Sequence, residues 1–205
     1  MNHPRLLAIA VLLLAASTIR AQTNPAGTPA DAVPSFASFH EAFDAGLAES
    51  RTTRNFDQAL SDFKAATQLA TTPLQKSDAA MYVALTYYNL KDFKNAQTEG
   101  EKLAGTEGAT PAAVSGVTLM LARIALNRDK DPEKARILAG KVIGMQANPS
   151  HVADARYLLA MVQNQLAQKA EAITTLQSLL DDPKAPEPIK ENGRKLLEKL
   201  NQEKP

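Results

Sequence analysis

Between Thr72 and Ala104 the apolar residues fall at helical spacing, with Met81, Val83, Ala84, Tyr87 and Tyr88 on the apolar side of one helix-length segment. A polar turn over residues 89–95 and a second apolar-periodic stretch complete a helix-turn-helix unit. The unit opens on Thr72-Pro73-Leu74-Gln75. Thr is a good N-cap, Pro at the first helical position loses no intrahelical bond, and Gln three residues after the cap closes a capping box. Thr110-Pro111 and Asn148-Pro149 repeat the device, and Pro34, Pro73, Pro111, Pro149 and Pro188 stand 39, 38, 38 and 39 residues apart. Because the residue before a proline is pushed out of the α region, each proline also ends the helix before it. A fixed period of this length predicts stacked helical units.

A second ruler runs inside the units. Ala59, Ala96, Ala135 and Ala172 are 37, 39 and 37 residues apart, each just after a short turn, and Gly46, Ala84, Ala122 and Ala160 precede them by 12 or 13 residues. Small residues held in register predict that the two helices of a unit cross closely there. A larger side chain would overpack the crossing at about 1–3 kcal/mol per site.

A small residue in the first helix, Ala early in the second and Pro shortly after it form a pattern that resembles the tetratricopeptide repeat (TPR) family. Ala84, Tyr87, Phe93 and Ala96 carry the resemblance in the clearest unit, and Gly46, Phe56, Ala59, Phe63 and Ala66 in the first. It covers residues 35–180 as four units, 35–70, 72–104, 110–145 and 148–180, and implies an all-α fold, a right-handed α-solenoid. Residues 186–203 read as a capping helix, with Ile189, Gly193, Leu196, Leu197 and Leu200 on one face. The chain departs from the family in its period near 38 instead of about 34, in Leu103 where a small residue is usual, and in the longer turn from Arg128 to Asp131. Lengthened units of this kind are similar to those of envelope TPR proteins of Gram-negative bacteria, among them the repeat domain associated with the Tol-Pal system. HEAT-type repeats share the length, but the aligned small residues favour TPR.

The N-terminus follows a different pattern. Arg5, the apolar run from Leu6 to Ala16 and the small residue Ala21 read as a secretory signal peptide over residues 1–21. Eleven apolar residues fall short of the roughly 20 that span a bilayer, so cleavage and no stable membrane insertion are expected. Residues 22–34, rich in Pro, Thr and Ala, read as a flexible tether. The expected location is the periplasm, or outside the cell. With no Cys, the chain has neither lipoprotein-type lipidation nor disulfides, and its units must be stable through packing.

Composition supports helix over sheet, since aromatics are 5 % and Trp is absent, whereas sheets draw on β-branched and aromatic residues. Loss of Arg5 and Arg20 with the signal leaves 21 basic against 22 acidic residues, without a basic stripe. Nucleic acid is therefore not an expected partner.

Candidate chemistry is sparse. There is no phosphate-binding glycine loop and no Gly-x-Ser-x-Gly elbow. His40 and His151 stand 111 residues apart, and a lone His near a helix start reads as a cap or surface residue. No catalytic, cofactor or metal residues are expected, and no enzyme activity. The TPR resemblance instead implies a concave groove lined by the first helices. Its inward positions transfer to His40, Phe43 and Leu47; to Asp78, Met81, Leu85, Tyr88 and Asn89; to Leu119, Arg123, Leu126 and Asn127; and to Asp154, Tyr157, Met161 and Asn164. Met81, Leu85, Leu119 and Met161 read equally well as inter-helix core. Tyr88, Asn89, Arg123, Asn127, Tyr157 and Asn164 are the candidates for contact with a protein or peptide. The two-Lys, two-Asn clamp that some TPR proteins use for a C-terminal carboxylate is absent. The alternative function is a carrier or sensor holding a small apolar ligand between its helices, suggested by the Met and Tyr residues on the inner face. Homo-oligomerisation stays open.

Overall fold

The computed structural model describes residues 35–202; the expected signal peptide and tether lie outside the described residues. All regular structure among them is helical. The helices are α1 (Phe39–Ala48), α2 (Phe56–Leu69), α3 (Pro73–Asn89), α4 (Phe93–Ala104), α5 (Pro111–Asn127), α6 (Pro132–Met145), α7 (Pro149–Gln165), α8 (Lys169–Asp181) and α9 (Glu187–Gln202). A π-helical turn, Glu49–Thr53, prolongs α1.

Pro73, Pro111 and Pro149 are the first residues of α3, α5 and α7, each behind a side-chain cap from Thr72, Thr110 or Asn148. The capping box of Thr72 and Gln75 is closed in both directions. The first unit departs from this plan: α1 begins at Phe39, capped by Ser38, five residues after Pro34.

The turn inside each unit is one recurring structure. Arg54, Lys91, Lys130 and Ala167 all adopt left-handed backbone, with φ between 55° and 65°, and each lies five residues before the second-helix Ala of its unit. Asn55, Asp92 and Asp131 follow three of them and cap α2, α4 and α6 by accepting the backbone N–H of Gln58, Asn95 and Lys134. Gln168 makes no such side-chain cap at α8. L-residues pay roughly 1–2 kcal/mol to enter this region, so the recurrence reflects a tight reversal imposed by the packing of both helices.

Each helix packs on the next in sequence, and α3, α5, α7 and α9 also touch in series, whereas the second helices α2, α4, α6 and α8 make no comparable contact with one another. The core has no single centre. It is a chain of apolar clusters, two joining α1, α2 and α3, one joining α3, α4 and α5, one joining α5, α6 and α7, and one joining α7, α8 and α9. α5, in the middle, is apolar on nearly every side, as expected of a helix enclosed by neighbours. Ala59, Ala84, Ala96, Ala122, Ala135, Ala160 and Ala172 are fully buried. Gly46, the small residue of the first crossing, is so close to Phe63 that an added Cβ would stand 2.7 Å from its Cε1.

Candidate functional site

The first helices α3, α5 and α7 carry most of the expected contact residues, and two cross-links set their mutual register. Arg123 on α5 forms an ion pair with Asp154 on α7, Nη2 to Oδ2 3.2 Å, with both side chains partly open to solvent. Nearer the helix starts, one turn before Asp154 on α7 and about two turns before Arg123 on α5, His151 Nδ1 lies 2.8 Å from Ser115 Oγ. Ser115 Oγ also lies 2.8 Å from the Ala112 carbonyl oxygen; when the hydroxyl donates its one proton there, the imidazole is the donor to Ser115 through Nδ1–H. Gly116 makes this approach possible. A Cβ there would stand 2.7 Å from Met81 Sδ and 3.2 Å from His151 Cε1. Met81, Gly116 and His151 thus form a contact line across three successive first helices.

His151 is accordingly not the surface or capping residue its isolation in the sequence suggests. Asn148 does the capping, and the half-buried His151 ring turns across to α5. The sequence signal that could have revealed it is the Ser115-Gly116 pair, a small polar residue and a missing side chain on the facing helix. Burial lowers the pKa of His151 below 6.5, Asp154 raises it and Arg123 lowers it. A group whose folded pKa is depressed contributes stability that is present above the unfolded value and is lost as pH falls through it. We therefore expect the protein to lose stability as pH drops from 7 to 5.5, at no more than about 1.4 kcal/mol per pH unit from this group. Thermal melts of wild type and His151→Gln at the two pH values check this. The variant should show the smaller difference.

The other inner positions are dispersed. Tyr88 is half-buried and tied to its own turn, with an edge-to-face contact to Phe93 at 5.7 Å and the Lys91 ammonium 5.8 Å from its ring centre. Tyr157 packs on the α7–α8–α9 cluster. Asn89 and Asn127 are the exposed last residues of α3 and α5, and Asn164 is the penultimate residue of α7. Three asparagines therefore mark equivalent ends of three first helices. Arg123 is the one candidate contact residue bonded to another inner position. Asp78, an inner position of α3, is half-buried, and desolvation alone raises its pKa. It has no hydrogen-bond or ion-pair partner among the described residues.

No protein-family model, curated protein or solved structure matches the chain. The functional reading therefore rests on the side chains. Among the described residues no three His, Asp or Glu side chains converge as a metal site requires, and no helix is long and apolar enough to cross a membrane. The Ser115–His151 hydrogen bond offers no accessible nucleophile, because Ser115 is fully buried.

Proposed function

We propose that this chain is an exported, non-enzymatic scaffold, a right-handed α-solenoid of four TPR-like units closed by α9, which binds a protein or peptide partner along its first helices. The setting that the sequence resemblance implies is envelope assembly or maintenance in the periplasm. The observation that carries the reading is the Arg123–Asp154 pair, since it joins two of the transferred inward positions on successive first helices. Elsewhere on the same first helices stand side chains suited to reading an extended partner: Asn89, Asn127 and Asn164 for backbone groups, Tyr88 and Tyr157 for apolar contact, and the carboxylate of Asp78, without a partner among the described residues, for a cationic group.

The test is a pull-down from envelope extract with the wild type and with an Arg123→Ala, Asn127→Ala double variant, both checked for unchanged helicity. A specific partner retained by the wild type should fall at least fivefold with the variant, the equivalent of roughly 1 kcal/mol. Equal retention by both would remove the groove from consideration.

A further inference from the structure

A cavity of about 710 Å3 opens between α2, α3 and α4. α2 and α4 each pack on α3 but not comparably on one another, so they stand apart with α3 between them. The face of α3 it uses (Pro73, Lys76, Ser77, Ala80, Val83) is centred roughly 130° around the helix from the inward positions Asp78, Met81, Leu85 and Tyr88, at 100° per residue. The cavity is therefore distinct from the proposed groove. Its end wall is the connection between α4 and α5, residues 105–110, twice as long as the three-residue connections 70–72 and 146–148. Gly108 turns this connection with a φ of +77°. The Thr110 backbone N–H then anchors it to the floor by donating to Ser77 Oγ at 3.1 Å.

Ala80, Val83, Leu103 and Ala109 give the cavity an apolar floor, and Lys64, Lys76 and Lys102 enter from one helix each. Two acids, Glu99 and Glu107, complete the charged lining. Glu99 pairs with Lys102 at 3.7 Å, and the Lys64 ammonium lies 5.3 Å from the centre of the Tyr87 ring. Lys76 has no partner among the described residues. Three lysines against two glutamates leave one uncompensated positive charge beside apolar surface. The volume is that of a site for one small organic molecule, about 300–1,000 Å3.

We propose that this cavity binds a single-chain amphiphile with one anionic head, a long-chain carboxylate, its tail on Ala80, Val83 and Leu103 and its head at Lys76. The proposal uses no residue of the first-helix groove, so either reading can fail without the other.

Titration calorimetry of the full-length chain with dodecanoate, below its micellar concentration, and with dodecanol tests it. Dodecanoate should bind saturably at one site, and dodecanol more weakly. Lys76→Gln should weaken dodecanoate about fivefold and leave dodecanol within about twofold. Thr67→Trp, at an exposed lining position on α2, should block both by filling the space while the protein keeps its helicity. Absence of saturable dodecanoate binding to the folded wild type would overturn the proposal, as would binding indifferent to Thr67→Trp. Equal affinity for the carboxylate and the alcohol would overturn the anionic part.

Discussion

A chain ending at Pro186, without α9, should lose on the order of 5 kcal/mol of stability in its last unit and become prone to self-association. α9 brings one fully buried side chain, Leu200, and three half-buried ones, Ile189, Leu196 and Leu197, to the cluster that contains Leu176 and Leu179. Full burial of such a side chain contributes about 1.5–3 kcal/mol, and the half-buried three bring the sum to the stated order. Gly193 allows the close approach, since a Cβ there would already lie 3.0 Å from Leu179 Cδ2. Because contacts run mainly between neighbouring units, the loss should stay local. Hydrogen exchange is the discriminating measurement. Protection should fall in α7 and α8 and persist in α1 to α4, whereas a uniform loss would show that the array melts as one cooperative block.

Phe63→Ala should produce an effect of similar size at the other end, about 3–5 kcal/mol. Phe63 is fully buried and lies at the meeting point of α1, α2 and α3, 5.5 Å from the Phe43 ring centre and 5.0 Å from that of Tyr82. Its ring also fills the space that Gly46 leaves open. The two positions should therefore couple. Gly46→Ala alone should destabilise by overpacking, about 1–3 kcal/mol, and should cost much less in a Phe63→Leu background, where the aromatic edge is gone. Urea denaturation of the four proteins of this cycle measures the coupling. Strict additivity would mean that the glycine serves some purpose other than clearance for the ring.

These residues also show how the fold could be read in advance. Each helix start at Pro73, Pro111 and Pro149 was legible because capping is local, and a Thr or Asn followed by Pro acts through the backbone groups beside it. The small-residue ruler was legible because a crossing needs a missing side chain wherever it recurs. The apolar face of α9 was legible from its helical period. The π-helical turn at Glu49–Thr53 was not, since its sequence carries no proline or glycine, and neither was the start of α1 four residues beyond Pro34's immediate neighbour.

The candidate sites depended on more than local pattern. Tyr88 and Asn89 are adjacent in sequence, yet the ring is held by Phe93 and Lys91 while the amide stands at an exposed helix end. His151 looked solitary because its partner, Ser115, is 36 residues away. The cavity between α2, α3 and α4 had no motif at all, for the space opens where α2 and α4 stand apart on α3. By itself the sequence determined the helices, their order, the period of the units and the places where helices must cross closely, because caps, turns and small residues act over one or two turns of chain. Only the tertiary structure decided which polar groups meet across units and where a gap opens, because both follow from how far neighbouring helices stand apart.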